Sequence, residues 1–402
     1  MHPALIRATM RTHVECNGDR ITQGGTQMTT SGAGEAAQGS GVADDLPETE
    51  DVAAYYFGTS QTAIPVRHDR TPYDRQFVPE WDDSYEIDEP LFEKLAVCVS
   101  LDLPVLVSGP RGTGKSSGVV ALAAAVRQPL RRINLNANTR TRDLIGYRTL
   151  DYEEVEVAQA DGSSRTEIQQ VVRWVDGLLP DAMKHNHWLL IDEFDAASPG
   201  VLMALQAVLE PARRLVLAEN GGEVVAPPGR DPRERRDGGG RYEEHEYRRF
   251  RVFATANTLG HGDDTGFYAG TNVMNAATMD RFVVIQLDYP KPEAEVEIIR
   301  ARTGVPARLA KTLVGFAKKT RDAFDASECG AAVSTRQLIA WCEILVAMAG
   351  GAAGLEARGS EPLVCHAMRL SYAMAVGDKL AEDDVDYYAG VFQRDFGFTV
   401  TA

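Results

Sequence analysis

The fold of this chain is decided by the stretch Val105-Leu106-Val107-Ser108-Gly109-Pro110-Arg111-Gly112-Thr113-Gly114-Lys115-Ser116-Ser117. Residues 109–116 fit the pattern G-x-x-x-x-G-K-[ST], between two apolar runs that predict a strand before the loop and a helix after it. Glycines let backbone N–H groups turn towards a phosphate chain, and a helix N-terminus adds partial positive charge. We therefore predict that residues 109–117 bind ATP, with Lys115 on the β- and γ-phosphates and the Ser116 hydroxyl on Mg²⁺. The alternative, a glycine-rich turn that binds nothing, is disfavoured by the flanking strand and helix.

Length and composition indicate a soluble globular protein of two or three domains. The chain has 402 residues, of which 44% are hydrophobic and 25% charged. Its net charge of −16 makes nucleic acid an unfavourable partner. The sequence contains neither a membrane-length apolar run nor a secretory signal. The five cysteines form no C-x-x-C pair, so we expect reduced thiols in a cytoplasmic protein. His185 and His187 form an H-x-H pair that is more typical of a strand edge than of a metal site.

Composition also divides the chain. Residues 1–54 are rich in Gly, Ser, Thr, Ala and acids, which predicts a disordered tail. Residues 55–88 contain three prolines and are predicted to form an extended arm. We expect an α/β domain over residues 89–290 and an α-helical lid over residues 291–402. Within the α/β domain, residues 226–249 contain prolines, a glycine run and mixed charges, which predict a flexible surface insertion.

Two acids follow the apolar run Trp188-Leu189-Leu190-Ile191. Such a run predicts a buried parallel strand, and an open α/β sheet binds its ligand at the carboxyl ends of its strands. We predict that Asp192 binds Mg²⁺ and that Glu193 orients and partly deprotonates the attacking water. A strand-end cap is the alternative reading, and the phosphate-binding loop argues against it. Asn257 ends the next core strand and is predicted to hold the same water.

Phosphoryl transfer spreads negative charge that one lysine does not neutralise, so a second cation is expected. Arg281 stands before the last predicted strand, at an expected subunit edge, and Arg336 begins a helix of the lid. Arg213 and Arg214 are less favoured rivals. For each arginine the alternative is a surface salt bridge of small energetic value.

The order of these motifs resembles that of the AAA+ ATPases: the phosphate-binding loop, Asp192-Glu193, Asn257, Asp280-Arg281-Phe282 and Ser334-Thr335-Arg336. Hairpins predicted at residues 147–174 and 213–225 resemble those of the MoxR branch. Within that branch, the chain from about residue 55 to its end is similar to the ATPase subunits of aerobic cobaltochelatase, the CobS type. The segments that carry this similarity are Ala256–Thr271, Met279-Asp280-Arg281, Asn134-Leu135-Asn136 followed by Asp143–Gly146, and Phe392–Gly397.

The resemblance implies a three-layer αβα P-loop core around a parallel sheet, with a C-terminal helical lid and hairpin insertions. It implies a homo-oligomeric ring, expected to be a hexamer, with Mg²⁺-ATP at subunit interfaces and Arg281 acting in trans. The implied partners are a protein with a von Willebrand A domain and a large chelatase subunit that inserts cobalt into a corrin ring. The insertion at 226–249 and the long tail depart from the family pattern.

The expected function is therefore an ATP-driven motor that remodels or activates a metalloenzyme complex, with the cobaltochelatase kind as the first expectation. Two other functions stay open. One is a nucleotide-switched assembly scaffold whose ATP hydrolysis is incidental. The other is a DNA-acting ring, which the acidic net charge disfavours.

Overall fold

The computed structural model describes residues 54–56, 63–67, 70–158, 164–231, 247–258, 271–358 and 362–400. The predicted disordered tail lies outside the described residues, except for Ala54. So do most of the predicted surface insertion and residues 259–270 of the glycine-rich segment that carries the family resemblance.

The elements are as follows. The strands are β1 (Ala54–Tyr56), β2 (Ala63–Pro65), β3 (Val105–Ser108), β4 (Leu130–Asn134), β5 (Gly146–Ala158), β6 (Ser164–Asp176), β7 (Trp188–Asp192), β8 (Leu215–Leu217), β9 (Glu223–Val225), β10 (Arg251–Ala256) and β11 (Val283–Gln286). The helices are α1 (Pro72–Arg75), α2 (Glu89–Ser100), α3 (Lys115–Ala125), α4 (Thr141–Ile145), α5 (Leu178–Lys184), α6 (Pro199–Leu209), α7 (Ala276–Met279), α8 (Pro292–Thr303), α9 (Ala307–Asp325), α10 (Thr335–Met348), α11 (Ala352–Arg358), α12 (Pro362–Ala375) and α13 (Glu382–Phe396).

A parallel five-stranded sheet of order β11-β3-β10-β7-β4 forms the centre of the α/β domain. Strands β3, β7 and β10 are buried along their whole length, because helices cover both faces of the sheet. Helices α2 and α3 pack on one face and α5 and α6 on the other. The predicted three-layer αβα core is therefore confirmed. Because the strands are parallel, the phosphate-binding loop, Asp192 and Asn257 all follow strands at the same edge.

The helices from α8 onwards form a second body with its own aromatic core. Phe316 of α9 lies edge-on to Trp341 of α10, with ring centroids 5.4 Å apart. Tyr372 and Phe392 pack against the same group, and the Trp341 Nε1 donates to Ser371 Oγ at 3.1 Å. None of the helices in the described part of the chain is long and apolar enough to span a membrane.

Two antiparallel hairpins project from the α/β domain. Strands β5 and β6 pair from Gly146 opposite Asp176 to Ala158 opposite Ser164. Strands β8 and β9 form the second, shorter hairpin. Both hairpins lie where the sequence predicted them.

The arm is anchored to the α/β domain through His187. Its Nε2 lies 2.6 Å from Asp74 Oδ1 at α1, and both side chains are buried. Burial lowers the pKa of His187, although the neighbouring Asp74 opposes that shift. His185 instead contacts Asp181. The described residues contain no group of three or more His, Cys, Asp or Glu side chains suited to a metal ion, and the H-x-H pair anchors the arm through His187.

Arg213 belongs to a buried cluster at the amino ends of the strands. Asp102, which precedes β3, lies 3.0 Å from both Arg213 and Arg248 and 3.6 Å from Arg251. The sheet separates this cluster from the carboxyl ends of the strands. The suggestion that Arg213 is a cation of the nucleotide site is therefore wrong. The sequence could not show this, because the buried partner of Arg213, Asp102, lies 111 positions away.

Candidate nucleotide site

The loop between β3 and α3 requires glycine for steric reasons. Gly109 has φ +156°, and a Cβ added there would lie 1.9 Å from the Leu287 carbonyl oxygen. Gly112 has φ +76°, and its added Cβ would lie 2.7 Å from the Ser334 Cβ of the lid. The loop is thus closed in between the end of β11 and the start of α10.

Lys115 is buried within this loop and makes three hydrogen bonds. Its Nζ donates to the carbonyl oxygens of Gly109 at 2.7 Å and Pro110 at 2.8 Å, and to Asn257 Oδ1 at 3.0 Å. Burial lowers the pKa of Lys115 to about 8, and the Arg336 and Arg111 cations act in the same direction. The Asp195 and Asp192 carboxylates oppose that shift. An ammonium group whose charge is so incompletely compensated is suited to bind phosphate.

Asp192 accepts hydrogen bonds on both carboxylate oxygens. Ser116 Oγ and Thr255 Oγ1 both donate to Oδ1, the latter at 2.8 Å. Arg132 Nε donates to Oδ2 at 2.5 Å. The hydroxyl of Ser116 and the carboxylate of Asp192 are hard oxygen donors, so these residues fit the predicted Mg²⁺. Thr255 and Arg132 were not predicted from the sequence.

Glu193 has a backbone conformation that is unusual for a residue with a side chain. Its φ is +53° and its ψ is +47°, and its N–H donates to Thr255 Oγ1 at 3.3 Å. Strained backbone of this kind is concentrated at functional sites. The turn separates the two acids: Asp192 is buried, whereas Glu193 is exposed. The Glu193 carboxylate is therefore available to a solvent water.

Asp195 organises the end of β10. Its Oδ2 accepts three hydrogen bonds, each of 3.0 Å, from Asn257 N, Thr258 N and Thr258 Oγ1. Its carbonyl oxygen accepts from Asn272 N at 2.7 Å. Asp195 thus holds the chain on both sides of residues 259–270 and sets the position of Asn257. Sequence reasoning missed it because a third acid after Asp192-Glu193 resembles an ordinary surface residue.

The lid supplies the other wall of a cleft of about 790 Å³. Gly112–Gly114, Leu287–Lys291 and Arg336 are among the residues that line it. Ser334 caps α10 through Gln337, and Thr335 Oγ1 donates to the buried Glu295 at 2.6 Å. These contacts hold the first turn of α10, and with it Arg336, beside the phosphate-binding loop.

Tyr289 connects the loop to the lid and was also missed. It lies on the linker between β11 and α8, and its hydroxyl donates to the Arg111 carbonyl oxygen at 3.3 Å. The guanidinium of Arg321 lies 3.8 Å from the centre of its ring. Arg321 also forms a two-pronged ion pair with Glu295, at 2.8 and 2.7 Å. Tyr289 would therefore transmit a displacement of the phosphate-binding loop to Arg321 at the base of the lid.

Arg281 lies outside this group. Its Nε and a terminal nitrogen contact Glu210 Oε1 at 2.7 and 2.6 Å, and it also donates to the Ala277 carbonyl oxygen. Its guanidinium is partly exposed. The structure thus brings together Lys115, Ser116, Asp192, Asn257 and Arg336, with Glu193 beside them, and leaves Arg281 apart. Arg214 is exposed and directly precedes β8.

The parallel sheet order, the phosphate-binding loop and the acids at the end of β7 define a P-loop nucleotide-binding protein of the AAA+ class. A family model for the AAA domain (dynein-related subfamily) matches residues 104–282. A second model, for the CbbQ/NirQ/NorQ C-terminal region, matches residues 295–369.

Comparison with individual proteins narrows the class. The chain is 33% identical over 273 residues to the aerobic cobaltochelatase subunit CobS of Sinorhizobium sp, a match that covers 66% of this chain and 72% of that protein. It is 26% identical over 263 residues to an uncharacterized protein of Staphylococcus aureus strain USA300, covering 65% of this chain and 85% of the relative. The chain belongs to the MoxR branch of the AAA+ ATPases, close to CobS. The RuvB Holliday junction branch migration motor of Thermotoga maritima is a more remote likeness, with a TM-score of 0.43 and 14% identity over 81% of this chain and 86% of that one.

Proposed function

We propose that this protein is a Mg²⁺-dependent, ATP-hydrolysing ring motor that remodels or activates a partner metalloenzyme complex, with metal insertion of the cobaltochelatase kind as its purpose. The observation that carries the proposal is the joint placement of Lys115, Ser116 and Asp192 beside an exposed Glu193. A phosphate-binding loop alone needs no such exposed acid, whereas hydrolysis requires a group that orients the attacking water.

Within the site, each described residue has a separate task in hydrolysis. The Glu193 carboxylate accepts a hydrogen bond from the attacking water and takes up its proton, and the Asn257 amide helps to orient that water. Lys115 and Arg336 compensate the charge that develops on the phosphoryl oxygens. Ser116 and Asp192 would hold Mg²⁺, which when bound would shield the phosphate charge and favour the in-line geometry of transfer.

Arg281 completes the site from a neighbouring subunit in this proposal. Its own chain holds it against Glu210, in a contact that is partly open to solvent and of small energetic value. Such a contact can be exchanged at low cost for the phosphate of a neighbour's nucleotide. The proposed ring, which family resemblance suggests is a hexamer, would thereby link hydrolysis to assembly.

The proposed client comes from the relative. The Sinorhizobium protein is a subunit of aerobic cobaltochelatase, and the match to it extends over most of its length. We infer a partner with a von Willebrand A domain and a chelatase subunit as client. The net charge of −16 supports a protein client over a nucleic acid. A cytoplasmic location is part of the same proposal.

The client is tested with a Glu193→Gln variant, which is expected to bind ATP without turning it over and so to hold its partners. The tagged variant is isolated from its host in Mg²⁺-ATP and, as a control, in Mg²⁺-ADP. A von Willebrand A protein and a chelatase subunit should be retained in ATP and released in ADP. The recovered complex, with wild-type protein and ATP, should then insert Co²⁺ into a metal-free corrin.

Other outcomes separate the alternatives. Partner assembly that follows ATP binding, with partner activity unaffected by Glu193→Gln, would favour the nucleotide-switched scaffold. Salt-sensitive DNA binding near physiological ionic strength would instead favour a DNA-acting ring.

A further inference from the structure

We propose that Arg132 forms an ion pair with Asp192 that competes with Mg²⁺ for the Asp192 carboxylate. This inference rests on the proposed function, in which Asp192 serves the metal of the nucleotide site. It assigns a task to a residue of β4 that lies outside the phosphate-binding loop.

The carboxylate of Asp192 is already fully engaged by protein groups. Its Oδ1 accepts from the Ser116 and Thr255 hydroxyls, and its Oδ2 accepts from Arg132 Nε at 2.5 Å. The two hydroxyls are neutral, so Arg132 is the cation in direct contact with this carboxylate. A cation drawn to Asp192 must therefore share the carboxylate with the guanidinium or replace it.

The two partners differ in their access to solvent. The side chain of Arg132 is 56% exposed, whereas that of Asp192 is 7% exposed. Water can therefore solvate the released guanidinium, while the carboxylate stays at the site. An ion pair with one exposed partner costs little to break, so the competition is weak enough to be reversible.

Arg131, the neighbour of Arg132 on β4, is much less exposed to solvent. Arg131 is 17% exposed, pairs with Asp181, and lies with its guanidinium 4.1 Å from the centre of the Phe77 ring. It is held between Phe77 of the arm and Asp181 of α5. The strand β4 is at the edge of the sheet, and its Asn134 stands opposite Asp192 in the register. The strand thus holds one anchored arginine and one that reaches along the edge to the metal ligand.

The ion pair between Arg132 and Asp192 should affect how much Mg²⁺ nucleotide binding requires. Removal of the Arg132 charge leaves Asp192 without its cationic partner and increases its attraction for Mg²⁺. An ion pair of this partly exposed kind is expected to change the half-saturating Mg²⁺ concentration about fivefold. Arg132→Lys keeps the charge and should stay near the wild-type value.

The test measures binding of a fluorescent ATP analogue to the full chain, first in EDTA and then during titration with MgCl₂. Arg132→Ala and Arg132→Gln should each reach half-saturation at about fivefold lower Mg²⁺ than the wild type. Arg142→Ala is the matched control, because it removes an exposed arginine that pairs with its own neighbour Asp143. That control should titrate as the wild type does. Thermal unfolding of each variant shows whether the chain is folded.

The titration distinguishes failure of the Arg132 competition from failure of the proposed function. If the wild type binds the analogue and neither Arg132→Ala nor Arg132→Gln lowers the Mg²⁺ requirement, the competition is refuted. A raised requirement also refutes it, since it would mean that Arg132 orients Asp192 for the metal. If the wild type fails to bind the analogue with and without Mg²⁺, the proposed function itself is refuted.

Discussion

Replacement of Asp195 by alanine tests whether this buried acid organises the site. The substitution removes the single oxygen that accepts hydrogen bonds from Asn257 N, Thr258 N and Thr258 Oγ1. Asp195 is fully buried, so these donors lose their partner in a place that water enters poorly. At about 1 kcal/mol for each donor, the expected loss of unfolding free energy is about 3 kcal/mol. In a domain of about 200 residues that corresponds to about 6–12 °C in Tm.

The same substitution should reduce catalysis, because it releases Asn257. The amide of Asn257 lies 3.0 Å from Lys115 Nζ and is the proposed contact of the attacking water. Small displacements of such groups are costly, and we expect the kcat of ATP hydrolysis to fall at least about tenfold. Asp195→Asn is the control, because its amide oxygen can accept the same three hydrogen bonds.

The assay combines thermal unfolding with steady-state ATP hydrolysis for the wild type and both variants. Asp195→Asn should lie closer to the wild type than Asp195→Ala in both measurements. Asp195 does not organise the site if Asp195→Ala loses less than about 1 kcal/mol of stability and keeps kcat within about twofold of the wild type.

Three further predictions concern the lid, the subunit edge and the buried cluster. Gly112→Ala should weaken ATP binding about tenfold, because its Cβ would lie 2.7 Å from a lid side chain. The control Gly304→Ala, at φ +69° with nothing within 4 Å of its added Cβ, should lower stability without changing ATP affinity. Equal ATP affinities of the two variants would contradict this prediction. Arg281→Ala should abolish hydrolysis, and mixing it with Glu193→Gln should restore part of it; mixtures without activity would argue against a trans-acting arginine. Asp102→Ala should lose about 3–5 kcal/mol in denaturant unfolding, because it leaves three arginines buried without their shared acid, and a loss below about 1 kcal/mol would refute that role.

The fold and the centre of the site were predictable because their signals are local. The phosphate-binding loop is one contiguous motif, and its glycines are required by contacts such as that of Gly109 with Leu287. Asp192 and Asn257 each end an apolar run, and parallel strands bring such ends to one edge. The sequence order of the motifs therefore translated directly into their proximity in space.

The residues that were missed depend on contacts between distant parts of the chain. Arg132 reaches Asp192 across 60 positions, and Asp195 reaches Asn257 across 62. Neither spacing follows from a repeat or a motif. Arg213 was considered for the site because the sequence does not show its burial against Asp102. That burial depends on how the chain before β3 and the chain before β8 come together. A charged residue in the sequence does not reveal whether it meets solvent, substrate or a buried partner.

We propose that ATP is hydrolysed at the site formed by Lys115, Ser116, Asp192 and Glu193. The most direct measurement is the kcat of purified wild type and Glu193→Gln in Mg²⁺-ATP, with the Kd for ATP measured on the same samples. We expect kcat to fall at least about 100-fold in the variant while the Kd stays within about threefold of the wild type. Equal turnover by the two proteins, or an absence of ATP binding by the wild type, would contradict the claim.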